Sequence, residues 1–289
     1  MIRSRLHSLL ATVAALQVCF CGVAVGDSDL FDPLDLLTFE ARSFRISVET
    51  GHYPAAEFPY SGLQGDLWAL SVGSTLSTRD GQAVFGVSGP LRRILTVEDT
   101  GLAGALGQDR LKPPARFQER RGVTGDFTIS WLFRTPPNSQ GLTQAGLLFG
   151  FTMPNANTAS GIGLDEGSYH GRLLLAQRHF GATFGAQLGL SIMPNPDPIR
   201  GDDDFYTFGV GAQTQIAPRF KLAGRMSGAL ATADGSGDGR VDSLNMSLSL
   251  DYRPEDWSIE LTLVEYLRDP SPAYGVSFRA SRSWRLWRN

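Results

Sequence analysis

The chain has 289 residues, 42% of them hydrophobic and 19% charged, with a formal net charge of −3. Mild acidity argues against a nucleic-acid partner, which calls for a basic surface. Beyond residue 26 no apolar stretch is long enough for a helical span of a bilayer.

Arg3 and Arg5 make a basic start, residues 9–25 form an apolar run, and Ala24-Val25-Gly26 supplies small residues before Asp27. This order reads as an export signal over residues 1–26. Cys19 and Cys21 both lie inside it, each after a large residue (Val18, Phe20), so neither fits a lipidated cysteine. The exported chain is then expected to lack disulfides and thiol chemistry. Without Arg3 and Arg5 it carries 24 basic against 29 acidic side chains, about −5.

Residues 27–42 are short, acidic and contain Pro33, and read as a periplasmic lead-in or partial plug. From residue 43 onward the pattern has a period of two. Phe44, Ile46 and Val48 mark a first strand over 43–50; Trp68, Leu70, Val72 and Leu76 mark a second over 66–77; Ala83, Phe85 and Val87 open a third near Gln82. Nine more are predicted near 125–135, 142–153, 168–178, 182–193, 205–216, 220–232, 243–252, 257–266 and 274–286. In 125–135, Phe127, Ile129, Trp131 and Phe133 alternate with Thr128, Ser130, Leu132 and Arg134. Strands of roughly ten residues, apolar on one side only, suit a membrane-spanning barrel better than a soluble sheet.

The connections support this. Short ones are expected at 78–81, 136–141, around Gly181, 217–219 and 254–256. Long ones fall between them at 52–64, 91–124, 154–167, 194–204, 233–242 and 268–273. Such sorting is that of a bacterial barrel with short periplasmic turns and long outer loops. The fold class is therefore all-β: a transmembrane antiparallel β-barrel of about twelve strands spanning 43–289, with both termini periplasmic. Hydrocarbon offers unpaired N–H and C=O groups no partner, so the last strand must return to the first. Its row Tyr274, Val276, Phe278, Ala280, with Trp284 and Trp287 near the end, is of the type that barrel-insertion machinery reads, although the chain ends in Arg288-Asn289.

Two stretches carry a looser family signature: Asp126-Phe127-Thr128-Ile129-Ser130-Trp131, and Phe149-Gly150-Phe151-Thr152-Met153-Pro154 leading into Gly161-Ile162-Gly163-Leu164-Asp165. Over residues 125–283 the layout resembles the outer-membrane barrels grouped with the MetA phenol-degradation family and a related barrel family. The resemblance implies an outer-membrane channel for small, often apolar or aromatic, compounds.

With the large apolar rows facing lipid, the opposite rows line a lumen. Its candidate residues are Arg45, Glu49, Arg134, His170, Arg172, Arg178, Lys221, Arg225, Asp251, Glu260 and Arg279. Basic groups outnumber acidic ones, so the lumen either favours anionic solutes or pairs its charges internally. Within 91–124, Thr96-Val97-Glu98-Asp99 has the form of a helix start, giving a gate in the mouth or a helix over the rim. Arg116, Arg120 and Arg121 could meet lipopolysaccharide. Residues 234–239 (DGSGDG) space oxygens like a calcium loop, but Asn245 stands where the closing acid belongs, so they read as a hairpin tip.

Some barrels of this size hydrolyse lipids, using a His followed two residues later by Ser. Here Gly171 and Arg172 follow His170, and no metal-ligand cluster or nucleophile motif is present, so no enzyme, cofactor or metal is expected. The expectation is a monomer in the bacterial outer membrane, in contact with its lipid and lipopolysaccharide, passing small solutes passively. The alternatives are a non-conducting structural or surface-recognition barrel and a lipid-modifying barrel.

Overall fold

The computed structural model describes residues 30–37, 39–58, 63–97, 119–123, 126–138, 140, 142–153, 167–193, 203–231, 243–267 and 274–286. A short 3-10 turn, Pro33–Asp35, precedes thirteen strands. They are β1 (Ser43–Phe58), β2 (Leu63–Ser77), β3 (Ala83–Val97), β4 (Glu119–Val123), β5 (Phe127–Arg134), β6 (Thr143–Met153), β7 (Ser168–His179), β8 (Ala182–Met193), β9 (Asp203–Ala217), β10 (Phe220–Ala231), β11 (Ser243–Tyr252), β12 (Trp257–Tyr266) and β13 (Tyr274–Arg285). Strands pair antiparallel with their neighbours, and β13 returns to β1 from Ser43↔Arg285 to His52↔Val276. That last ladder leaves no open edge to meet hydrocarbon. β4 pairs with Arg93–Val97 of β3, and β5 pairs with Ala83–Ser88 of the same strand. The two are halves of one wall strand, so the described residues form a closed twelve-strand barrel.

Two expectations are corrected. β1 runs to Phe58, not Thr50, because β1 and β2 continue to pair beyond a register shift between Tyr53 and Ala56 that accommodates Pro54. β3 likewise continues past Gly89-Pro90 to Val97, with the shift falling between Leu70 and Ser71 of its partner β2. Proline lacks the N–H a ladder requires, and a bulge is where that loss is tolerated. Thr96 is therefore a strand residue opposite Arg120 and not a helix cap, and residues 91–124 are not one loop. The remaining connection, 98–118, lies outside the described residues, as do Arg116 and the DGSGDG tip at 234–239.

The two faces of the wall differ as the period of two requires. Outward side chains stay open: Leu188 is 65% exposed, Leu173 57% and Phe133 52%, among many others in a continuous apolar belt. So much exposed apolar surface is untenable in water and ordinary in a bilayer. Aromatic rings flank the belt. At the end carrying the short turns, Phe44 stacks on Trp284 and Phe220 on Tyr252, while Arg282 lies over both Trp257 and Trp284. At the other end stand Tyr169, against Phe151, and Tyr206 and Tyr274. Such girdles belong at the two membrane–water interfaces. Most inward positions are small or polar: Ser47, Ser71, Thr75, Thr128, Ser130, Gln144, Thr183, Gln213, Ser249 and Ser277 are all buried, with Val84, Leu132, Leu148 and Leu174 as apolar exceptions.

Candidate functional site

The lumen is not empty. The segment preceding β1 enters from the short-turn end and lies inside the wall, its 3-10 turn against β7, β8 and β9. Asp32 caps that turn, its Oδ1 accepting from the Leu34 N–H at 2.7 Å, and Pro33 takes the first position, where its missing N–H is no loss. Phe31, Leu34 and Leu36 are 3%, 0% and 0% exposed. Each such burial is worth roughly 1.5–3 kcal/mol relative to exposure.

Phe31 and Leu36 cluster with Val84, Leu132, Leu148, Leu174 and Ala176, all inward residues of β3, β5, β6 and β7. This half of the wall carries an apolar patch on its inner face, set among buried polar residues such as Ser130 and Gln144. Glycines give the segment room: a Cβ on Gly86 would come within 2.8 Å of the Phe31 ring, and one on Gly185 within 3.0 Å of Leu34. Polar clamps add direction. Arg134 donates from Nη1 to the Leu36 carbonyl at 2.6 Å, and from Nε to the Gly81 carbonyl at 2.8 Å. Its guanidinium also lies over the Phe39 ring, as does that of Arg45. Gln213 Nε2 donates to the Leu34 carbonyl at 2.7 Å.

The opposite half, β10 to β13 and β1, is charged. Asp32 pairs with Arg225, and Asp35 reaches Arg253 at 3.7 Å. Arg225 also lies 3.5 Å from Glu260 and donates to Ser249 Oγ at 2.7 Å. Glu260 is shared with Arg279 (3.6 Å), which holds Glu49 at 2.7 Å. Asp251 pairs with Arg253 and accepts from Ser258 at 2.6 Å. At the exposed rim Arg285 bonds Glu40 at 3.0 Å, and that hydrogen bond holds the Glu40 carboxyl below its ordinary range.

The eleven lumen candidates therefore fall into groups. Glu49, Arg225, Asp251, Glu260 and Arg279 belong to the ionic wall, with Lys221 opposite Asp251 in the β10–β11 ladder. Arg45, which also donates to Ser283 at 3.2 Å, and Arg134 hold the segment. The His170 ring occupies the space above Gly150, Arg172 borders the lumen cavity beyond the segment, and Arg178 is exposed at the short-turn rim. Asp32, Asp35 and Arg253 are the partners that strand alternation does not reveal. The inward leucines of β5–β7 were the available signal, since they interrupt a polar row.

Beyond the segment the lumen holds a cavity of about 220 Å³, bordered by Asp32, Tyr53, Arg172, Gln187, Arg225, Tyr266 and Arg279. Gln187 Oε1 and Thr207 Oγ1 are buried without a hydrogen-bond partner among the described residues. A larger hollow, about 780 Å³, lies on the outer surface between Leu76, Phe85, Trp131 and Phe133, where acyl chains would fill it. Among the described residues no group of His, Cys, Asp and Glu side chains is arranged to hold a metal ion.

A closed twelve-strand antiparallel barrel with an apolar belt, aromatic girdles and a polar inner face is a bacterial outer-membrane barrel. No family model and no curated protein matches the sequence. Among solved structures, the COG4313 outer membrane channel from Pseudomonas putida F1 superposes with a TM-score of 0.62 at 12% identity, covering 91% of this chain and all (100%) of that one. The NanC porin superposes with a TM-score of 0.55 at 8% identity, covering 83% and 100%. At these identities the likeness is one of fold.

Proposed function

We propose that the chain is a passive outer-membrane channel for small solutes whose short-turn mouth is stopped, at rest, by the segment around residues 30–37. One observation carries this reading: the wall encloses space that its own side chains do not fill, and a separate, non-strand segment fills it. A twelve-strand wall lies between the eight-strand size filled by side chains and the wide aqueous porins. Moving the segment out would join the cavity to the short-turn mouth. Fold likeness to a channel and a porin supports the same reading, as does the sequence resemblance to MetA-type barrels. We place both termini on the periplasmic side, because short turns face the periplasm in such barrels. The outer loops would meet lipopolysaccharide, and no catalytic step is involved.

Liposome swelling tests it. Liposomes with a variant lacking residues 27–42 should swell in small neutral and charged solutes at several times the rate of the intact chain. A folded, segment-free barrel that leaves liposomes osmotically tight would contradict it. The second reading, a non-conducting barrel that binds a partner through its loops, is favoured by the stopped lumen alone and would then stand.

A further inference from the structure

The lumen has two chemically different walls, and one segment satisfies both. Residues 30–37 read Leu-Phe-Asp-Pro-Leu-Asp-Leu-Leu. Phe31 and Leu36 enter the apolar wall of Leu132, Leu148 and Leu174, while Asp32 and Asp35 turn to Arg225 and Arg253. In effect the barrel binds a pair of carboxylates carried on a compact apolar body.

We propose that small carboxylates bearing an apolar or aromatic body are the solutes this lumen binds, and that they compete with the segment for the same two walls. The proposal rests on the channel reading and names its substrate class. Removing the segment leaves Arg225 and Arg253 without Asp32 and Asp35, while Glu260 and Asp251 remain beside them, so each arginine keeps one acid and gains room for another. The apolar wall is exposed at the same moment. A simple inorganic anion uses only the first, and a neutral hydrocarbon only the second. A molecule such as benzoate or phenylbutyrate uses both. Desolvating a carboxylate requires a fixed cation partner, which the arginines provide. The apolar body then supplies binding in proportion to its buried area.

Hydrogen exchange on the unmodified full chain in detergent or nanodiscs tests this, with peptides covering residues 30–37 as the readout. Benzoate and phenylbutyrate should raise exchange in these peptides at least tenfold at concentrations where benzamide and acetate leave it unchanged. Arg253→Gln, in the turn after β11 and outside the strand ladders, should reduce the difference between benzoate and benzamide at least fivefold. Equal effects of acid and amide, or exchange that is unchanged or slowed by every acid, would overturn the proposal. Swelling of liposomes with the segment-free barrel is read separately. A barrel that conducts while benzoate leaves the segment protected overturns the solute class alone. A barrel that never conducts, yet has its segment loosened by benzoate and not benzamide, supports the binding class while removing the channel.

Discussion

Asp32 and Arg225 lie 193 positions apart in the chain and form an ion pair inside the barrel, joining the segment ahead of the first strand to the tenth. The pair is also the junction of two networks. Arg225 passes the interaction on through Glu260 to Arg279 and Glu49, and Asp32 caps the turn that places Leu34 and Leu36 in the apolar half of the lumen.

Arg134 is the segment's main polar clamp. It is 8% exposed and donates to carbonyls of Leu36 and Gly81. Hydrogen bonds to a charged group are worth about 1.5–3 kcal/mol each. Arg134→Ala should therefore raise hydrogen exchange of residues 31–39 by on the order of tenfold or more. The heat-dependent gel shift of the folded barrel should persist, because the strand ladders do not depend on this side chain.

Gly86 and Gly185 are seats for Phe31 and Leu34, with no room for a side chain. Gly86→Leu and Gly185→Val should each expel the segment while leaving the wall closed. Both variants should make liposomes permeable at close to the rate of the segment-free barrel. If both stay as tight as the unaltered chain, the segment is not what stops the lumen.

Glu260 is shared by two arginines, Arg225 at 3.5 Å and Arg279 at 3.6 Å. Glu260→Gln leaves the ionic wall more positive. In the segment-free barrel it should shift the chloride-to-potassium permeability ratio several-fold toward chloride, as measured by reversal potential in a salt gradient. An unmoved ratio would mean that ions do not pass this wall.

Leu188 faces outward at 65% exposure, and its neighbour Gln187 faces the lumen. Leu188→Arg should destabilise the barrel in lipid by about 2–4 kcal/mol, the depth-dependent cost of a cation near the bilayer midplane. Gln187→Arg should cost far less, since this position borders the lumen cavity and not hydrocarbon. Denaturant titration into lipid vesicles compares the two.

The wall was legible in the sequence because each strand reports its own faces: Trp131, Phe149, Leu188, Tyr206 and Leu261 sit outward, as their period of two requires. Closure was legible too, since hydrocarbon permits no open edge. The ends of β1 and β3 were not, because Pro54 and Pro90 look like terminators until a partner strand supplies a bulge. The contents of the lumen were only half legible. Charged residues with period-two spacing mark the inner face. Their partners Asp32 and Asp35, however, come from a segment with no periodicity, and Leu132, Leu148 and Leu174 gain meaning only when Phe31 and Leu36 are seen against them.

Planar-bilayer recording of the intact chain beside the variant lacking residues 27–42 is the most direct check. The account predicts long closed periods broken by brief openings for the intact chain, and a steadily conducting, mildly anion-preferring pore once the segment is gone. Two records of equal conductance, or two silent ones from correctly folded barrels, would contradict it.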